Sequence, residues 1–271
     1  MKMLFPPSAI LLLTLATLHG ETTPPDQPLK EDGITPITCE LTQAPRYTEV
    51  PVFGSQKEAD SAVGTYHYNL YLPKGYNAEP AKKWPCFFVM STSGKASMAD
   101  VGNYAKAHGY IVVMLQEAKN GPWAPIMGNF LAAHDDAVKR ARIGAKYAAG
   151  HSGGARASSV WVQLRPGFEG LVMEGAGASS GHNGAYNVAG IKRQPQLRIA
   201  MTMGNADKNS SEVARMQSAL GKDRMLFLPF EGGHVWAPAD VFEKAMAWVT
   251  AKGPATGGSG GKTFDEFFKK K

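Results

Sequence analysis

Three serines of this chain sit in the pattern Gly-x-Ser-x-Gly. They are Ser152 in Gly150-His151-Ser152-Gly153-Gly154, Ser179 in Gly177-Ala178-Ser179-Ser180-Gly181, and Ser259 in Gly257-Gly258-Ser259-Gly260-Gly261. A serine hydroxyl on a tight turn between a strand and a helix can attack an electrophilic carbon, provided a base removes its proton. With 30 glycines among 271 residues the pattern also arises by composition alone, so each copy is judged by its flanks. The turn needs a buried strand before the serine, a helix after it, and glycines that admit a cramped backbone.

Ser152 meets all three demands: Tyr147-Ala148-Ala149 precedes it, and Ala155 to Leu164 continues as a helical pattern. The helix start would aim backbone N–H groups at the site, where negative charge develops. Ser179 follows a strand pattern but runs into Gly181-His182-Asn183-Gly184, which is loop. Ser259 lies in a glycine-rich tail, with no strand before it and no histidine after it.

Such a serine needs a base and the base an orienting acid; in known proteins with this strand–serine–helix turn, the acid and then the histidine follow it in the chain. His234, in Glu231-Gly232-Gly233-His234-Val235-Trp236, follows the apolar run Met225 to Phe230 and falls at the carboxyl end of a strand. Asp207 ends Thr202-Met203-Gly204-Asn205-Ala206-Asp207, also just past a strand. His182 precedes every good acid and breaks the order. Asp223 precedes its strand, and Glu174 lies within one. The competing readings are a turn or helix-cap role for Asp207 and a structural histidine at 234. Three placements at one sheet edge, in the required order, favour the chemical reading.

The elements that must position these residues alternate. Gly64 to Pro73 has a period of two and reads as a half-buried strand. Cys86 to Met90 and Tyr110 to Leu115 are unbroken apolar runs, suited to strands covered on both faces. Further strands are expected at Ala145–Ala149, Gly170–Glu174, Leu197–Met203 and Arg224–Phe230. Helices are expected at Ala96–His108, Phe130–Ala141, Ala155–Leu164, Ser211–Leu220 and Ala239–Lys252. This βαβα order implies an α/β fold with a doubly wound, mostly parallel sheet and its ligand crevice at the carboxyl ends of the strands.

With GHSGGA, GNAD and EGGHVW in that order, the chain resembles the α/β-hydrolase superfamily. Within it, the chain is similar to single-domain secreted serine esterases of the poly(3-hydroxybutyrate) depolymerase and feruloyl esterase type, with dienelactone-hydrolase-like proteins nearby. Tyr68 to Tyr76 and Lys83-Trp84-Pro85 look like that family's opening strand and the approach to the next. The likeness covers roughly Gly64 to Lys252. It implies ester cleavage through an acyl-enzyme, with Ser152 as nucleophile, His234 as base and Asp207 as the residue that orients it. It also implies an oxyanion hole, with one donor from Gly153 N–H and a second, by position, from Thr92. The chain departs from its relatives here, carrying Met90-Ser91 where they often carry His-Gly.

The stretch from Gly175 to Gln196 is small and polar, with Tyr186 its only aromatic residue. That is too little for a large cap domain, so the site should be open and suited to small-molecule or polymeric esters. Trp123 and Trp236, read as loop residues at the same edge, either line the acyl pocket or, for Trp236, pack beneath the histidine loop. Two other functions remain: a prolyl-oligopeptidase-like peptidase, and a catalytically silent binding protein on the same fold. Only about sixty residues precede the sheet, against the large N-terminal domain that such peptidases usually carry. The altered oxyanion loop is the best support for the binding protein.

Composition bounds the rest. Hydrophobic residues make up 44% and charged residues 19%, which is globular. The formal charge of +6 is not gathered into basic-aromatic runs, so no nucleic-acid partner is expected. Residues 1–20 read as an export signal: Lys2, then the apolar run from Ala9 to Leu18, with cleavage near Gly20. That places the protein outside the cytoplasm, secreted or periplasmic, with no stable membrane insertion after cleavage. Residues 21–36 read as a Pro-rich charged linker, 37–253 as the domain and 254–271 as a flexible tail. Cys39 and Cys86 would either form a disulfide, contributing roughly 4 kcal/mol, or remain small buried hydrophobes. No cofactor is implied, and no metal: His134, Asp135 and Asp136 are neighbours on a helix and cannot face one ion together.

Overall fold

The computed structural model describes residues 27–181, 183–221 and 224–251. The export-signal segment, the tail with Ser259, and two residues weighed above, His182 and Asp223, lie outside them.

Eight strands form one sheet in the order β1-β2-β4-β3-β5-β6-β7-β8. They are β1 (Gly33–Leu41), β2 (Gly64–Leu72), β3 (Trp84–Met90), β4 (Ile111–Leu115), β5 (Ile143–His151), β6 (Phe168–Glu174), β7 (Arg198–Gly204) and β8 (Met225–Phe230). β1 and β2 run antiparallel; every pairing from β4 to β8 is parallel. Both expectations from pattern hold: β2 alternates in burial from Tyr66 to Leu70, whereas β4 and β7 are buried throughout.

Helices cover both faces. On one side lie α2 (Met98–His108) and α7 (Ala239–Val249), packed through Val101, Ala105, Phe242 and Met246. On the other lie α3 (Trp123–Arg140), α4 (Gly153–Leu164) and α6 (Ser211–Leu220). Phe130 of α3 stacks on Trp161 of α4 at 4.8 Å with the rings 6° from parallel. Two short helices complete the set, α1 (Gln56–Asp60) and α5 (Ala189–Lys192).

Two expectations need correction. The stretch read as linker to residue 36 already contains the start of β1 at Gly33. Pro36 is tolerated because β1 is an edge strand, where a missing N–H costs no ladder bond. Helix α3 starts seven residues before Phe130, and Trp123 is its first residue, not a loop residue. Pro125 sits in the first turn, where its N–H would have no partner anyway. Gly128 is needed because Tyr66 Oη and Ala62 O occupy the space of a Cβ.

Of the two readings left open for the cysteines, the structure shows the second: both are free and buried. Cys39 Sγ donates to the Tyr66 carbonyl at 3.6 Å. Burial, with smaller contributions from Asp136 and Glu117, pushes its thiol up to about 12, and burial pushes Cys86 up as well. Two thiols should therefore react in the denatured, unreduced protein and resist modification in the native one. Reductant should leave the melting temperature unchanged, whereas losing a disulfide would lower it by several degrees.

Candidate active site

β5 ends at His151 and α4 begins at Gly153, so the chain reverses within one residue, Ser152. Its backbone has φ 55° and ψ −117°, a region that costs a residue with a side chain about 1–3 kcal/mol. Several contacts hold it there. Ser152 N–H donates to the carbonyl of Glu174 at 2.8 Å, and Ser152 O accepts from Ala155 N–H at 3.1 Å. Gly150 lies directly against the backbone of Gly154, where a Cβ would overlap, and Gly154 packs within 3.0 Å of Met90 O by the same measure. The strained turn lifts the Ser152 side chain clear of the sheet edge.

His234 and Asp207 meet it. Ser152 Oγ lies 2.9 Å from His234 Nε2, and His234 Nδ1 lies 2.9 Å from Asp207 Oδ2. A carboxylate offers only acceptors, so Nδ1 carries the ring proton and Nε2 is left to accept from the serine hydroxyl. Asp207 is 3% exposed and fixed further by the Asn209 N–H, which donates to its Oδ1 at 2.8 Å. The loops that carry acid and base are joined backbone to backbone: Asn205 N–H donates to Phe230 O, and Ala206 N–H to Gly232 O, both at 2.9 Å. Gly204 makes this approach feasible, because a Cβ there would overlap the carbonyls of Gly232 and Gly233.

No family model matches the chain, and neither does any curated protein. Solved structures do. An S-formylglutathione hydrolase from Staphylococcus aureus superposes with a TM-score of 0.56 at 13% identity, over 80% of this chain and 99% of that one. A feruloyl esterase module from Clostridium thermocellum, solved with sinapinate, gives 0.54 at 16% identity, over 82% and 90%. The fold is that of the α/β-hydrolases. Among the described residues, the stretch from Gly175 onward builds no cap domain in this chain. Ala176, Ala178 and Ser179 are fully buried against the core. Ser179 is thereby a structural residue, its N–H donating to Ser159 Oγ at 3.0 Å.

The residues expected to supply N–H groups are placed as follows. Gly153 opens α4, where first-turn N–H groups have no helical acceptor. Thr92 lies in the turn after β3. There Ser93 N–H donates to Ser91 Oγ at 3.3 Å and Gly94 N–H to Ser91 O at 2.9 Å, leaving the Thr92 N–H outside both bonds. Trp236 stacks on His151, ring centroids 5.8 Å apart, and packs into the cluster under α2 and α7. Of its two readings the structure favours packing beneath the histidine loop. Trp123 is half-buried against the opposite cluster. Among the described residues no three His, Cys, Asp or Glu side chains gather as metal ligands would.

Two further residues shape the site without a sequence signal. Glu174, fully buried at the end of β6, accepts Ala237 N–H on its carboxylate at 2.7 Å, so it holds both the Ser152 turn and the far end of the histidine loop. The ring of His151 packs 4.5 Å from that of His234. Gly175, at φ +64°, is glycine for this reason: a Cβ would stand 2.8 Å from His151 Nε2 and 3.2 Å from His234 Nδ1.

Burial, and then the neighbouring His234, pulls the His151 imidazole down to about 4, with Asp207 opposing. The folded value lies below the unfolded one of about 6.5, so the unfolded chain takes up this proton first. The stability this gives is present above pH 6.5 and is lost as pH falls towards 4. Urea titrations across that window should show the decline, and His151→Phe should flatten it. Gly204→Ala should lower the unfolding free energy by about 1–3 kcal/mol, read as a lower urea midpoint with an unchanged slope, by forcing the Asp207 and His234 loops apart.

Proposed function

We propose that the protein is a serine hydrolase that cleaves carboxylic esters through an acyl-enzyme. The observation that carries this reading is the pair of 2.9 Å contacts running from a strained serine through His234 to a buried aspartate. In the proposed reaction Ser152 Oγ attacks the ester carbonyl while His234 Nε2 takes its proton, and Asp207 fixes the imidazole through Nδ1–H. The tetrahedral oxyanion is received by the N–H groups of Gly153 and Thr92, each worth roughly 3–4 kcal/mol when lost. His234 returns the proton to the departing alkoxide. A water molecule then enters by the same route in reverse and releases the acid. Every step uses groups of this chain and water, so the reading assigns no metal or organic cofactor.

The substrate class follows from the rim. His234 keeps 29% of its side chain exposed. With no cap domain over the serine among the described residues, we assign a bulky or polymeric ester, such as an aryl or cell-wall acyl ester, reached from solvent. The apolar, Lys-led N-terminal segment supports export to the periplasm or beyond. No helix among the described residues is long and apolar enough to cross a membrane.

A panel of chromogenic esters and peptide amides decides the matter. The parent should turn over esters and leave amides nearly untouched. Ser152→Ala should lose about 10⁴-fold or more in kcat, and Asp207→Asn a comparable factor. Equal ester activity in parent and Ser152→Ala would reject the serine. An inert parent would favour a binding protein on this fold.

A further inference from the structure

The loop between β4 and α3, residues 116–122, lies against the turn after β3. The two are joined: Asn120 N–H donates to the Thr92 carbonyl at 3.0 Å, and Ser93 pairs with Lys119 in an isolated antiparallel bridge. This junction carries the Asn120 side chain to the nucleophile. A Cβ placed on Gly153 would overlap Asn120 Oδ1, and the Nδ2 lies 3.3 Å from the same point. The carboxamide thus rests on the Cα of the residue whose N–H receives the oxyanion. Asn120 is exposed to solvent, and its carboxamide makes no hydrogen bond to any described residue. A free amide is cheap in water but has an obvious partner when substrate displaces that water.

We propose that Asn120 is a third oxyanion donor, giving an Nδ2–H to the tetrahedral intermediate formed on Ser152. The inference rests on the esterase reading and deepens it. Half a turn about the terminal torsion exchanges Oδ1 and Nδ2, and nothing in the structure opposes it. The proposal also accounts for the glycine at 153. Only a residue without a Cβ leaves room for the amide beside the N–H that shares its task. The oxyanion loop, bearing Met90-Ser91, is then complemented from the neighbouring loop.

Asn120→Ala, Asn120→Leu and Asn120→Asp all keep the backbone N–H that braces Thr92, so a purely structural role predicts effects that track thermal stability and leave boronate affinity intact. As an oxyanion donor, Asn120 should lose about 10²-fold in kcat on becoming Ala or Leu, with KM little changed. Asp should be worse still, because its carboxylate faces the developing charge. A boronic acid that forms a tetrahedral adduct on the serine should weaken in parallel with kcat/KM. Unchanged kcat and boronate affinity in the Ala and Leu variants would overturn the inference alone, provided the parent is active and Ser152→Ala is not. A drop in kcat that tracks lost thermal stability, with boronate affinity intact, would also overturn it. A parent that neither hydrolyses esters nor captures the boronate would overturn this inference and the esterase reading together.

Discussion

Everything at this site depends on one residue held in a conformation it would not choose. Ser152 at φ 55° is strained, and the strain persists because the surroundings allow no alternative. The end of β5 is buried between β3 and β6, and α4 is buried along Ala155 to Val162, so neither can swing to relax the junction. The reward is orientation. The hydroxyl stands proud of the sheet while the N–H groups that begin α4 point towards the same space, so their reorganisation is completed during folding and not during reaction.

Glu174 extends that constraint to the second loop. Its carbonyl takes the Ser152 N–H and its carboxylate takes the Ala237 N–H, so one residue references Ser152 and the His234 loop to the same strand end. A fully buried carboxylate is expensive to keep, and an apolar side chain there would suit the core better. Its position explains the expense. The histidine loop is then fixed at both ends, by Ala206 to Gly232 at the start and by Glu174 to Ala237 beyond the imidazole. Between these ties His234 has little freedom except to face Ser152.

The sequence made the fold legible where burial is continuous. Runs such as Ile111 to Leu115 need no tertiary information to be read as strands covered on both faces. Ser152, Asp207 and His234 were legible because each follows such a run directly, and strand ends in a parallel sheet converge. Elements decided by context were not. The start of β1 hides in a stretch whose proline and charge content reads as linker, and only its edge position shows that Pro36 fits a strand. The first two turns of α3, ahead of Phe130, are not legible because Pro125 and Gly128 look like breakers until Tyr66 is seen against the glycine. Glu174, His151 and Asn120 were silent for another reason. Their partners lie 63, 83 and 28 or more residues away, or are backbone groups, and single-sequence spacing carries no trace of such contacts.

The walls of the site bear on how it selects what enters. Glu212 of α6 accepts from Gly177 N–H at 2.8 Å, from Tyr186 Oη at 3.2 Å and from Arg156 at 2.6 Å. Burial works against its ionised form, yet the hydrogen bonds from Arg156 and Gly177 hold the Glu212 carboxyl below its usual value. The stretch from Gly175 to Tyr186 is thus fastened to α4 and α6 at several points and packed inward through Ala176 and Ala178. It has the anatomy of a wall, not of a lid. On the proposed esterase reading, fixed walls gain nothing from closure, and discrimination comes from groups already in place when substrate arrives. Those groups are on the turn after β3 and the loop before α3, which hydrogen-bond to each other beside the start of α4. Specificity and oxyanion stabilisation would therefore be set by the same pair of loops, and a change in one would be felt in both.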